Sequence, residues 1–211
     1  HSRATWKRNS GIPGLTSWFT SKALAGGGAL IDLGPHVIDS LLFLLGEPRV
    51  TAVSAMTHGV LGRAGFGAMD KGAQFDGGHA SFEVEDLATA LLRFDNGSSA
   101  QFEISWAGHT VDDEDISIEL LGVEAGARLF IPRYAQDGTL AIYRDVDGAH
   151  TVLRPQVHVD DKGHAAVIAE FISTVRSGQW ADHYGDEAAH RTEILDACYE
   201  SARLGREVTI A

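Results

Sequence analysis

The chain has 211 residues, 44% of them apolar, enough to fill the core of one ordinary domain, and it carries a formal charge of −12 with a pI near 5.1. A field of that sign repels polyphosphate and anionic lipid headgroups, and no basic stripe reverses it, so nucleic acid and membrane surfaces are not expected as partners. Cys198 is the sole cysteine, so no intrachain disulfide can form; a buried, inert thiol in a reducing, cytoplasmic compartment is the expectation.

The opening segment HSRATWKRNSGIP starts on His1 with neither leader, cap nor strand period, as expected of a fragment or a processed product. After Gly26, Gly27 and Gly28, the residues Leu30, Leu33, Val37, Ile38, Leu41, Leu42, Leu44 and Leu45 recur at helical spacing. Gly46-Glu47-Pro48 then stops the run, predicting a helix over residues 28–45. Pro35 offers no N–H to the carbonyl of Ile31, so either the helix kinks there or its regular part begins at Pro35 as a first-turn residue. The longest unbroken apolar stretch, Leu41 to Leu45, falls far short of the roughly 18 residues that span a bilayer.

From Arg49 the period becomes two. VTAVSAMT, FEVEDLATALLRFDNGSSAQFEISW, ISIELLG, ARLFI, TLAIYR and HTVLRP read as a largely antiparallel sheet of about six to eight strands. Asp95-Asn96-Gly97 is a hairpin turn, and Gly122 to Gly126 and Asp145 to Gly148 turn two more. Residues 58–80 form a glycine-rich link of the length expected of a functional loop or a disordered excursion. Two helices follow, one with an apolar face of Ile168, Phe171, Ile172 and Val175, the other with Ile194, Ala197 and Cys198; Glu207 to Ile210 returns as a last strand.

Strands in a block, flanked by helices and without βαβ alternation, predict an α+β domain over residues 1–211, an open, largely antiparallel or mixed sheet with helices on one face. Both parities of strand 86–95 are apolar, which leaves a second face to cover and predicts a homodimer or homotetramer through the sheet.

The chain has no G-x-G-x-x-G between a strand and a helix, no P-loop, no H-E-x-x-H and no G-x-S-x-G. What remains is Asp32 and His36, four apart and so on one helix face, about 6 Å from each other at the backbone. Spacing alone leaves two readings: a cap and a satisfied boundary residue, or a carboxylate and an imidazole that share a substrate. A metal set of Asp32, His36, His58, Asp76 and His79 competes on ligand chemistry, without a geometry to fix it; no metal is the expectation.

GGGALIDLGPHVIDSLLFLLGEP resembles the GGG-x3-D-x-G-x-H-x2-D signature in the C-terminal domain of the Gfo/Idh/MocA oxidoreductases. GIPGLTSWFTSKALA, VEDLATALLRFDNGSSAQFEISW, IELLGVEAGARL and ILDACYESARLGREVTI agree with that family in order, so the resemblance covers nearly the whole chain. It implies a glyceraldehyde-3-phosphate dehydrogenase-like substrate-binding and oligomerisation domain. It also implies a separate Rossmann domain, absent from this chain, that binds NAD or NADP and supplies a Lys from a Glu-Lys-Pro motif.

The same resemblance maps catalysis onto Asp32 and His36 and implies a sugar, inositol, other polyol or related hydroxy compound as substrate. Oxidising a secondary alcohol requires its hydroxyl proton to leave along with the hydride, and an imidazole can take that proton at neutral pH. His36 is therefore the general acid/base. Asp32 fixes its tautomer, stabilises its cation or binds a substrate hydroxyl. Lys22, Trp18 and His158 are substrate-lining candidates, and Gly27 and Gly28 would admit cofactor to the backbone. Asp39 matches the signature as a structural residue, and His164 is read as surface. No cofactor is expected to stay tightly bound to this chain alone, which is expected to be inactive alone. The alternatives are a redox-assisted glycosidase of the same family and a non-catalytic assembly domain.

Overall fold

A computed structural model describes the whole chain except Thr16 and residues 70–81, 158–162, 181–184 and 211. Among the described residues, nine strands make one open sheet: β1 (Ser2–Arg8), β2 (Val50–His58), β3 (Leu87–Phe94), β4 (Ser99–Ser105), β5 (Glu114–Leu121), β6 (Gly126–Pro132), β7 (Leu140–Val146), β8 (Ala149–Leu153) and β9 (Val208–Thr209). Their order across the sheet is β8-β7-β6-β5-β1-β4-β3-β2-β9. β1 runs parallel to β4 and the other pairings are antiparallel, so the sheet is mixed. The three predicted hairpins join β3 to β4, β5 to β6 and β7 to β8.

β1 corrects the expectation of an irregular opening segment. It lies inside the sheet between β5 and β4, with Ala4 opposite both Ile118 and Phe102. Its core-side residues are Ser2, Ala4, Trp6 and Arg8, too polar a set to show period two. The strand exists because partners about a hundred positions away complete its ladder, a tertiary effect that outweighs local preference.

Four helices are described: α1 (Lys22–Ala25), α2 (Ala29–Leu45), α3 (Gly163–Ser177) and α4 (Asp186–Leu204), with a single 3₁₀ turn at Trp18–Thr20 ahead of α1. α2 lies over β1, β3 and β4, α4 lies over β2 and β9, and the two helices pack on each other. Leu30, Ile38, Leu41 and Leu42 of α2 are fully buried beside Ile194 and Cys198 of α4 and Leu92, Ile104 and Trp106 from the sheet. Each such aliphatic side chain contributes about 1.5–3 kcal/mol. Burial pushes the Cys198 thiol up to about 12, so it stays protonated.

α2 runs through Pro35 from Ala29, so its regular part does not begin at the proline. It ends where Gly46, at φ 79°, turns its N–H back on Leu42 and Phe43. The run Lys22–Leu45, α1 and α2 together, is long and apolar enough to cross a membrane by length and mean hydropathy, which the short unbroken apolar stretch did not suggest. Half of its apolar 18-residue window is buried in the core, the position of a core helix.

Two expectations about coverage change. None of the described side chains of α3 is buried, and Ile168, Phe171 and Val175 stand exposed, so among the described helices α2 and α4 cover the sheet, over β1 to β4 and β9. The other sheet face is less apolar than both-parity hydrophobicity implied. β4 turns Gln101 and Glu103 toward it, and these join Arg3, Met56, Thr89 and Leu91 in lining an open cleft of about 680 Å³.

Candidate active site

The N-terminus of α2 is held by Glu85, a buried carboxylate just before β3. Its Oε1 accepts the backbone N–H groups of Gly28 (2.8 Å) and Leu30 (3.0 Å) and the hydroxyl of Tyr199 on α4 (2.8 Å). An anion on the first turn complements the helix dipole and satisfies donors that have no partner within the helix. Burial first, then the Glu85 charge, pushes the Tyr199 phenol well above its ordinary value, so it remains a hydrogen-bond donor.

This clamp gives Gly27 and Gly28 a role other than the cofactor approach expected of them. Both are buried. A Cβ on Gly27 would meet the Tyr199 hydroxyl, and one on Gly28 the Glu85 carbonyl oxygen and Val84. The space left by the missing side chains is filled by the protein itself, so these residues do not fit a nucleotide cradle.

Asp32 and His36 sit one turn apart on α2, the first partly buried, the second exposed. Asp32 Oδ2 accepts the indole N–H of fully buried Trp106 at 2.7 Å. Its described bond therefore anchors the helix to the end of β4 rather than orienting the imidazole. The His36 ring instead lies against Trp6 of β1, with ring centroids 5.8 Å apart and planes tilted by 52°.

Trp6 opens a network that the sequence did not reveal. Glu114, at the start of β5, accepts three hydrogen bonds on Oε1: Trp6 Nε1 at 2.6 Å, Arg8 Nε at 2.7 Å and the Tyr134 hydroxyl at 2.8 Å. The Arg8 guanidinium also stands 5.1 Å from the Trp6 ring centroid. Burial works to raise the Glu114 pKa, but the hydrogen bonds from Arg8, Trp6 and Tyr134 and the Arg8 charge hold it below the ordinary carboxylate value. Tyr134 reaches the carboxylate from a left-handed pair, Arg133 at φ 50° and Tyr134 at φ 56°, a conformation disfavoured for residues with a Cβ and typical of places where the surroundings dictate the backbone. The signal for this cluster lay in the Trp and Arg of SRATWKR, invisible as a pair until the segment is known to be a strand.

The remaining candidates scatter. Lys22 opens α1 with Nζ 4.7 Å from the Tyr199 ring centroid, beside the Glu85 clamp. Trp18 is exposed and stacked on Phe19. Asp39 accepts Arg191 Nε at 2.7 Å while Glu47 accepts Arg191 Nη2 at 2.8 Å, a clamp between the end of α2 and α4 that makes Asp39 structural. His164 is exposed on α3. His158, Asp76 and His79 lie outside the described residues, and among the described residues no three His, Cys, Asp or Glu side chains gather as metal ligands.

Residues 1–128 match the GFO/IDH/MocA C-terminal domain family. Over 209 residues the chain is 30% identical to D-glucoside 3-dehydrogenase of Escherichia coli (strain K12), a match covering 96% of this chain and 54% of that protein. Among solved structures, GenD2 from gentamicin A biosynthesis, in complex with NAD, superposes with a TM-score of 0.70 at 27% identity, covering all of this chain and 55% of that one. Levoglucosan dehydrogenase, in complex with NADH and L-sorbose, shares the fold with a TM-score of 0.73 at 20% identity, covering 100% and 58% of the two chains. The chain thus spans a little over half the length of each of these relatives.

Proposed function

Since this chain belongs to the GFO/IDH/MocA family through its C-terminal domain, we propose that it is the substrate-binding half of an NAD(P)-dependent dehydrogenase that oxidises a secondary hydroxyl of a sugar or glycoside. A nicotinamide dinucleotide supplies the hydride acceptor in such an enzyme. The internal packing of Gly27 and Gly28 supports a nucleotide site outside this chain. What falls to this chain is the sugar and its proton.

The observation that carries the reading is His36: an exposed imidazole in the middle of a core helix, one turn from a carboxylate and in contact with an aromatic ring. An exposed imidazole can exchange protons with a bound hydroxyl. When the carbinol C–H leaves with its electron pair as hydride, His36 takes the O–H proton and the carbon becomes a carbonyl; reduction runs the transfer backward. Asp32 keeps the helix seated through Trp106, which holds His36 at a fixed height above β1.

We assign the open sheet face to self-association as a homodimer or homotetramer, and the protein to the cytoplasm, where its lone buried thiol needs no oxidising surroundings.

In the protein that carries both halves, His36→Ala is expected to lower kcat for methyl β-D-glucopyranoside oxidation by about 10²–10⁴-fold, followed as NADH absorbance, with an unchanged thermal transition. An unchanged kcat would refute the assignment of His36.

A further inference from the structure

The Glu114 carboxylate is used asymmetrically. Oε1 takes all three described hydrogen bonds, from Trp6, Arg8 and Tyr134, while Oε2 accepts none from the described residues. The side chain is 18% exposed, and among the described residues no buried polar side-chain atom lacks a partner, so Oε2 is not sealed from solvent. An ionised carboxylate is an acceptor with room for about four hydrogen bonds. Here one oxygen is saturated and rigidly held, and the other is left open. Trp6 links this carboxylate to the His36 ring, since it touches both.

We propose that Glu114 is a specificity-determining residue of the sugar site, its Oε2 accepting a hydrogen bond from a second hydroxyl of the sugar whose oxidised hydroxyl gives its proton to His36. The proposal rests on the sugar dehydrogenase reading. Arg8, 14% exposed and bonded to Oε1, keeps the carboxylate ionised and in place, so the acceptor is preorganised. Trp6 sets the separation between the two hydroxyl-reading groups. Tyr134 closes the network from the turn after β6. A charge-assisted hydrogen bond of this kind discriminates against a sugar lacking that hydroxyl by about 10–100-fold.

The test is calorimetric binding, with NADH present so that no hydride can be accepted, of methyl β-D-glucopyranoside and its four monodeoxy analogues to the protein carrying both halves. Wild type is expected to bind at least one analogue about 10–100-fold more weakly than the parent glucoside. Glu114→Gln is expected to reduce that ratio to under about 3-fold, whereas Tyr134→Phe, which removes a donor from Oε1 and leaves Oε2 untouched, keeps it. A residue that merely supports the fold would weaken all five ligands by the same factor. Equal weakening of all five by Glu114→Gln, wild-type indifference to every deoxy position, or no binding of any of these glucosides would overturn the proposal. Because binding is read without turnover, discrimination through Glu114 in a protein that forms no NADH would support the acceptor and refute the dehydrogenase reading. NADH formation without such discrimination would do the reverse.

Discussion

The catalytic and structural readings of Asp32 separate by chemistry. Its neighbour His36 suggests a proton-transfer pair, yet its described hydrogen bond goes to Trp106, whose indole is shut away from water. Removing the acceptor strands a buried N–H, and an unmade hydrogen bond costs more than a made one contributes. Asp32→Ala is therefore expected to lose about 1–3 kcal/mol in urea unfolding. Asp32→Asn keeps an amide oxygen for the indole and is expected to lose less than half of that. If the two variants unfold alike, the bond to Trp106 does not matter to stability. The signature made Asp32 legible in the sequence, but its partner was not, because Trp106 stands 74 positions away and reaches the helix only once β4 is laid beneath it.

α2 shows how an element's sequence can be read correctly for the wrong reason. Periodicity and the Gly46 stop gave its span closely, and the triple glycine before it was read as an opening for a ligand. The structure fills that opening with Glu85, Val84 and Tyr199. The difference arises because a glycine says that something comes close and not what it is. Gly28→Ala would drive a methyl into a backbone carbonyl that cannot rotate away, and a loss of about 3 kcal/mol or more is expected. Gly27→Ala meets the hydroxyl end of Tyr199 instead, and Tyr199→Phe is expected to restore part of that loss by removing the colliding atom. Thermal unfolding of the two single variants and the double variant checks both. No recovery in the double would place the strain elsewhere. β1 teaches the complement. Its polar core-side residues hide it from any periodicity scan, and the network of Trp6, Arg8, Glu114 and Tyr134 was hidden with it.

At the scale of the molecule, the part of the sheet formed by β1 to β4 has one face finished by helices and one open. Beneath α2 and α4 the alternation on β3 and β4 is complete: Ala88, Ala90, Leu92 and Phe94 beside Ala100, Phe102 and Ile104, all buried. On the far side Met56 is 61% exposed and Leu91 37% exposed, set among Arg3, Thr89, Gln101 and Glu103. The apolar pair on β2 and β3 lies beside polar and charged side chains on β4 and β1, the combination of apolar and polar surface found in protein interfaces. Met56 lies beside Thr89 and Ser54 beside Leu91 in the β2–β3 register, so the two apolar side chains sit within one patch. If copies associate there, each buried apolar side chain contributes about 1.5–3 kcal/mol, and replacing both by carboxylates opposes association twice over, by lost burial and by like-charge repulsion. Light scattering at micromolar concentration is expected to give the protein carrying both halves the mass of two or four copies. The double variant Met56→Glu with Leu91→Glu is expected to weaken association by about 100-fold or more and to run as a monomer. A double variant that keeps the wild-type mass, with its thermal transition intact, would move the interface off this face and leave the cleft to another use.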